Sequence, residues 1–372
     1  MLLRVPVFYD SFYCIADKCT DTCCVGWEID IDENSLKRYA TIKDDFGNSL
    51  RQNIEDGHFK LREGDRCPFL KQDGLCDMIC HLGESSLCDI CREHPRFVEV
   101  YGDIMEKGLG LCCEEAVRLL LNAKGNELTP IAFVEREVND EPDDIPDDAR
   151  EARDAILGER EHLFKILADH ARPLNERLVE LLDFAVETSG IEYCDFNGDR
   201  HSKTDLGDNS DNISNNILQS WIDSLGKGES FGPAWDQAYK ELSLIANAPR
   251  TKRASSLGLN VGLFTESDGE KIIAYLLFRY YAKSLFDGNS LTKVQFALYF
   301  WIMLQKFGVI FAKTAETPNA SDSANAPTAK IAAIKLLSKQ TEYSEEIMNI
   351  LEQEFTENPL FSPENFKKVL KR

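Results

Sequence analysis

The chain has 372 residues, of which 43% are hydrophobic and 10% aromatic, enough to form a sizeable buried core. Its 64 acidic and 42 basic side chains give a formal net charge of -22. This charge repels a nucleic-acid backbone and an anionic membrane surface, so neither is expected as a partner. Residues 1–10 hold no sustained apolar run, and we therefore expect the protein to act in the cytoplasm.

Cysteine usage divides the chain, because eleven of the twelve cysteines fall within residues 14–113. They form two clusters and a closing pair: Cys14, Cys19, Cys23 and Cys24; Cys67, Cys76, Cys80, Cys88 and Cys91; Cys112 and Cys113. Gly, Pro and Asp are frequent around them, which favours loops. We expect residues 1–125 to form an irregular, cysteine-rich metal-binding region with little sheet, and Cys194 to lie apart from it.

The rest of the chain has a helical pattern. Residues 126–151 include the run EREVNDEPDDIPDDARE, which indicates a solvated acidic connection. From residue 152 to residue 372, apolar residues recur at three-and-four spacing, which predicts amphipathic helices. The expected fold is mainly α, with the irregular amino-terminal part packed on an all-helical carboxyl-terminal part. Its core is expected at residues 275–286 and 296–311.

The most apolar stretch covers residues 294–311 (VQFALYFWIMLQKFGVIF). Its uninterrupted apolar run, residues 296–304, is much shorter than the roughly 20 residues that span a bilayer. Gln305 and Lys306 then interrupt it. We expect a buried helix of a soluble helical bundle, and no membrane insertion.

Clustered cysteines have three chemical interpretations: disulfides, structural zinc or an iron–sulfur cluster. Disulfides need an oxidising compartment, and no export signal is evident. Zinc sites are typically built on two CxxC pairs, whereas this chain has one, at Cys88 and Cys91. Iron–sulfur clusters bind Cys thiolates at less regular spacings. We prefer the iron–sulfur interpretation and keep zinc as the alternative.

Four stretches resemble a known family. They are FYCIADKCTDTCCVGWEIDID, CPFLKQDGLC, LGESSLCDICREHPR and LGLCCEEAVRLLL. In these motifs the chain resembles the flagellin lysine N-methylase family, which belongs with a wider set of zinc- or iron-chelating proteins of CxxCxxCC type. Residues 275–288 (YLLFRYYAKSLFDG) resemble a later element of the same family.

The resemblance implies an enzyme of the bacterial flagellum that methylates flagellin lysines, with S-adenosylmethionine as methyl donor and a 4Fe-4S cluster. By family pattern, the metal ligands are Cys14, Cys19, Cys23, Cys24, Cys67, Cys76, Cys91 and Cys113. Glu114 stands where the family has Pro, so Cys112 is the alternative to Cys113 as the last ligand. By the same pattern Cys80, Cys88, Cys112 and Cys194 are additional cysteines.

The sequence assigns no catalytic or S-adenosylmethionine-binding residue. It contains no GxGxxG turn, and Gly26 stands where a contiguous CxxxCxxC would need its third cysteine. A lysine substrate must lose a proton, for which Asp30, Asp32 or Tyr13 is a candidate acceptor, although each also fits a capping or surface role. The alternative function is a non-catalytic zinc- or iron-binding interaction protein whose cysteines staple the fold.

Overall fold

The computed structural model describes residues 1–190, 210–247, 262–315 and 325–371. Its helices are α1 (Glu33–Ala40), α2 (Asp45–Gln52), α3 (Asp77–Leu82), α4 (Asp89–Glu93), α5 (Glu114–Asn122), α6 (Asp147–Leu167), α7 (Leu174–Ser189), α8 (Ser210–Ser224), α9 (Pro233–Asn247), α10 (Glu266–Tyr280), α11 (Ser284–Asp287), α12 (Ser290–Ala315), α13 (Asn325–Glu342), α14 (Glu345–Glu357) and α15 (Pro363–Leu370). Its strands are β1 (Leu2–Pro6), β2 (Ile54–Glu55), β3 (His58–Phe59), β4 (Arg96–Tyr101), β5 (Ile104–Leu109) and β6 (Phe133–Glu137). The mainly α fold class is confirmed.

A four-stranded sheet of order β4-β5-β1-β6 lies beside the cysteine-rich loops. Leu2 of β1 faces Ile104 of the parallel strand β5 and Glu137 of the antiparallel strand β6. The segment expected to be only a solvated connection therefore contributes a strand. Because β6 is mostly exposed, it lacks the apolar alternation by which a half-buried strand is recognised in a sequence.

The larger hydrophobic core joins the sheet region to the carboxyl-terminal helices. Phe8, Phe12 and Leu109 belong to the same buried cluster as the aromatic and aliphatic side chains of α10 and α12. Residues 275–286 are buried as expected up to Ala282, but Phe286 is 74% exposed. The reason is that α10 ends at Tyr280, and the short helix α11 carries Phe286 to the surface, where it stacks on Tyr101.

Helix α12 is the central helix of this core. Its segment Ser290–Ala312 is long and apolar enough to cross a membrane, but 83% of its most apolar 18-residue stretch is buried within the protein. It packs against α7, α10 and α13. The expectation of a buried bundle helix agrees with this packing.

A buried ion pair joins the sheet to the helices. Arg160 Nη1 of α6 donates to Glu106 Oε2 of β5 at 2.7 Å and to the carbonyl oxygen of Phe278 at 3.1 Å. The side chains of Arg160 and Glu106 are at most 1% exposed. This pair therefore connects three elements that are distant in sequence.

Candidate metal centre

The cysteine-rich region is organised on a ribbon of two antiparallel segments, residues 24–31 and 57–67. Cys67 N donates to Cys24 O at 2.8 Å, and Gly26 N donates to Asp65 O at 3.1 Å. Further along, Ile31 N donates to the carbonyl of Gly57. The ribbon places the backbones of Cys24 and Cys67, from different sequence clusters, side by side. A small separate core, which includes Tyr39, Phe59 and Phe69, supports it.

Two pairs of thiols are in direct contact. A hydrogen bond from the Cys23 thiol lowers the pKa of Cys24 to about 7, and the same bond raises the pKa of Cys23. The corresponding bond from Cys91 lowers the pKa of Cys88 to about 7 and raises that of Cys91. Because the thiolate is the form that binds metals, the lowered pKa of Cys24 and of Cys88 favours metal ligation by these members of the two pairs.

Four cysteines from both sequence clusters influence one another, and we name them the Cys24 group: Cys24, Cys67, Cys76 and Cys91. Burial, with smaller contributions from the thiols of Cys24 and Cys76, raises the pKa of Cys67 to about 12. The pKa of Cys91 is raised by its bond to Cys88 and by burial, and also by Cys24 and Cys67. The fold thus places these four thiols in one neighbourhood.

A second neighbourhood, the Cys23 group, contains Cys14, Cys23 and Cys113. Besides its bond to Cys24, the Cys23 thiol has its pKa raised by the charges of Cys14 and Cys113. Cys19, the remaining predicted ligand, donates to Glu114 Oε2 at 3.5 Å. Seven of the eight predicted cysteines therefore lie near another cysteine, and the eighth, Cys19, lies beside Glu114.

The donor set fits the chemistry of an iron–sulfur cluster, because the eleven cysteines of the described residues are all free thiols. Within those residues, no three His, Cys, Asp or Glu side chains converge in an arrangement that holds a metal ion. The eight-cysteine ligand set and the choice between iron–sulfur and zinc stay predictions. Cys194 lies outside the described residues.

A buried polar network borders this centre, and the sequence did not reveal it. Burial raises the pKa of the Cys112 thiol to about 12, and the Tyr343 side chain is its hydrogen-bond partner. His94 Nε2 lies 3.9 Å from Cys112 Sγ. A Cβ atom at Gly110 would lie 1.8 Å from the Tyr343 hydroxyl, so glycine is required there. The glycine that precedes Leu111 and Cys112 in the motif LGLCCEEAVRLLL therefore makes room for this network.

Residues 275–288, which resemble a later element of the family, reach the same place. Tyr275 and Tyr280 donate to Glu342 Oε2 at 3.0 and 3.1 Å, and Arg279 Nη1 donates to it at 3.0 Å. The Arg279 guanidinium also lies 5.2 Å from the centre of the Tyr343 ring. The two sequence regions that carry the family resemblance therefore meet, through Tyr343, beside the cysteines.

The candidate proton acceptors differ in their surroundings. Tyr13 is 77% exposed, and Asp30 Oδ1 lies 2.5 Å from His58 Nδ1. Asp32 caps α1, since its carboxylate accepts from Ser35 N at 2.8 Å and from Asp89 N at 2.9 Å. These bonds, chiefly that from Asp89, lower the pKa of Asp32 to about 2. Asp32 is therefore a structural cap and a poor base.

We expect Asp32→Ala to lower the free energy of unfolding by about 1 kcal/mol, the usual cost of a lost cap. The folded pKa lies below the unfolded value of about 3.9, so this stabilisation is present above about pH 4 and is lost as the pH falls through about 2. Urea unfolding across this pH range checks it. The control is Asp44→Ala, which removes the corresponding cap of α2, where the Asp44 carboxylate accepts from Gly47 N. An equal acid-dependent loss in parent and Asp32→Ala contradicts the prediction.

An acidic cavity of about 440 Å³ opens beside the ribbon. Its lining residues are Glu28, Glu55, Asp56, His58, Phe59, Lys60 and Leu61. Glu28 Oε1 lies 3.6 Å from His58 Nδ1, so the Asp30–His58 pair stands at its edge. The cavity combines three carboxylates, an imidazole, one aromatic ring and one ammonium group, that of Lys60, which lies 3.6 Å from Glu55 Oε1.

The chain matches flagellar proteins of Salmonella. It is 32% identical over 127 residues to the flagellar biosynthetic protein FliU of Salmonella muenchen, a match that covers 32% of this chain and 75% of FliU. It is also 32% identical over 127 residues to the lysine-N-methylases of Salmonella typhimurium and Salmonella choleraesuis. The match spans only 32% of the length of those two enzymes. No family model matches the chain, and no solved structure matches it significantly.

These relatives are a flagellar biosynthetic protein and two lysine-N-methylases. The chain belongs to the flagellin lysine N-methylase family, as its cysteine motifs indicated.

Proposed function

We propose that this protein is a protein-lysine N-methyltransferase that acts on flagellin, with S-adenosylmethionine as methyl donor and an iron–sulfur cluster bound by its cysteines. The observation that supports it best is the meeting of both family motifs at Cys112, Tyr343 and Glu342. The names of the Salmonella relatives, a lysine-N-methylase and a flagellar biosynthetic protein, support the reaction and its flagellar context. We place the reaction in the cytoplasm, where the eleven free thiols of the described residues would stay reduced.

The chemistry needs a neutral amine. The lysine nitrogen forms a bond to the methyl carbon as the methyl–sulfur bond breaks, and S-adenosylhomocysteine leaves as a neutral thioether. One proton must leave the lysine nitrogen, so the protein has to provide an acceptor. When bound, the cluster would orient the donor through an iron that the protein does not fully ligate.

The chain's own residues would hold the cluster and receive the substrate. The Cys24 group and the Cys23 group, with Cys19, are the eight thiols from which the ligands of the cluster would come, and a cluster with one iron left open uses three of them. The acidic cavity suits a cationic lysine side chain, and the Asp30–His58 pair at its edge would take the proton. Asp30 is therefore the acceptor we favour.

Anaerobically purified protein should contain iron and acid-labile sulfide and should methylate flagellin in the presence of S-adenosylmethionine. Metal and sulfide analysis, with mass spectrometry of the flagellin lysines, checks both parts. Removing the iron from folded protein with a chelator should abolish methyl transfer. Rebuilding the cluster with iron and sulfide should restore it. Methyl transfer by a demonstrably iron-free sample rejects a catalytic cluster and leaves the stapling role. Zinc without sulfide and without methyl transfer supports the non-catalytic alternative.

A further inference from the structure

The loop of residues 19–24 carries three of the four cysteines of the first cluster, and it is anchored by a carboxylate from the far end of the cysteine region. Glu114 Oε2 accepts from Thr20 N at 2.8 Å, from Thr20 Oγ1 at 2.6 Å and from Cys19 Sγ at 3.5 Å. Glu114 is the first residue of α5 and directly follows Cys113. It thus ties the first cysteine cluster to the closing pair.

Two lysines of α13 hold the same loop. Lys339 Nζ lies 2.8 Å from Asp21 Oδ2, and Lys335 Nζ lies 3.3 Å from that oxygen and 3.9 Å from Glu114 Oε2. The side chains of Lys335 and Lys339 are only 9% and 13% exposed. Asp21 is 42% exposed, so these pairs are only partly buried, and they are screened less by salt than fully exposed pairs.

Lys339 also reaches the other end of the loop through an aromatic ring. Its Nζ lies 5.7 Å from the centre of the Trp27 ring, within cation–π range. Trp27 Nε1 in turn donates to the carbonyl oxygen of Cys23 at 2.7 Å. The loop is therefore fixed near Cys19 and at Cys23 by groups that converge on one helix.

We infer that Asp21, Glu114, Lys335 and Lys339 form a charged clamp that positions the first cysteine loop, so that the carboxyl-terminal helical part contributes positioning residues to the metal centre. The metal part of this inference rests on the proposed function. The two lysines balance the charges of Asp21 and Glu114, and Glu114 lies directly beside Cys19 Sγ. Replacing either lysine with a neutral residue therefore leaves net negative charge at the loop, which disfavours the reduced state of a cluster.

The clamp predicts a difference between two lysines of the same helix. Lys330 is the matched control, because it also makes one partly buried ion pair. Its Nζ lies 2.7 Å from Oδ2 of Asp268, a residue of the amino-terminal cap of α10. In metal-free protein, iodoacetamide should modify Cys19 and Cys24 several-fold faster in Lys339→Met than in Lys330→Met, as measured by mass spectrometry. Glu114→Gln should act in the same direction. Circular dichroism verifies that each variant is folded.

With metal bound, Lys339→Met should bind iron about tenfold more weakly in chelator competition, the lower end of the range for groups that support metal ligands. Its reduction potential should become more negative, and Lys339→Arg should restore both properties. Equal alkylation rates in Lys339→Met and Lys330→Met overturn the clamp, whatever the metal content. A further outcome is that the parent protein binds no iron while Lys339→Met is still alkylated faster than Lys330→Met. That outcome upholds the clamp and rejects the metal centre.

Discussion

Replacing either Cys23 or Cys91 with Ser should remove the iron and the methyl transfer to flagellin while the carboxyl-terminal helices persist. These residues belong to the two contact pairs, Cys23–Cys24 and Cys88–Cys91, so each change removes one thiol from a candidate metal neighbourhood. The helices should keep their far-ultraviolet circular dichroism, because their core is formed largely by side chains of α7, α10 and α12. Iron analysis and the methylation assay are made on the same preparation.

Cys194→Ser is the matched control and should behave like the parent protein. The informative quantity is activity per folded molecule. If Cys23→Ser loses activity only in proportion to its folded fraction, the centre staples the fold and does no chemistry. Full iron content and full activity in both Cys23→Ser and Cys91→Ser would remove these residues from the ligand set.

Arg160→Met should lower the free energy of unfolding by about 3–5 kcal/mol, the usual effect of leaving a buried charge without its partner. Glu106 stays almost fully buried in this variant, and its other cation, Arg4 Nη1, lies 3.9 Å away. The double variant Arg160→Met with Glu106→Leu should recover much of the loss, because both charges are then removed together. Urea unfolding at neutral pH measures all variants.

The control is Arg136→Met, which breaks the exposed pair between Arg136 of β6 and Asp10. It should cost at most about 1 kcal/mol. An equal loss in the single Arg160 variant and the double variant would assign the stability to the packing of the arginine stem and not to its charge.

The helical architecture could be read from the sequence because amphipathic spacing is a local signal. The sheet could not, since β1 pairs with residues as distant as Ile104 and Glu137, and its register depends on tertiary contacts. Within the region expected to be irregular, residues 33–52 form two helices. Asp32 caps α1 and Asp44 caps α2. These two residues can be recognised as caps only once the turn between the helices is known.

The cysteines of the candidate site could be found from their clustering and the family motifs. Tyr343 and Lys339 could not, because they lie far along the chain and a single Lys on a helix usually indicates a solvated face. The structure shows Lys339 at the cysteine loop and Tyr343 at Cys112. Glu114 was noted as a departure from the family pattern, and its bonds to Cys19 and Thr20 give that departure a physical role.

The strand order has a consequence for biosynthesis. Strand β1 lies between β5 and β6, and the cysteines from Cys14 to Cys113 all fall between β1 and β6 in the chain. On the ribosome, β1 emerges long before either neighbour exists, since pairing between distant segments waits for the later one. Eleven thiols are therefore synthesised before the sheet beside them can close. Pauses in translation before residue 137 would prolong the time during which these thiols are open to oxidation.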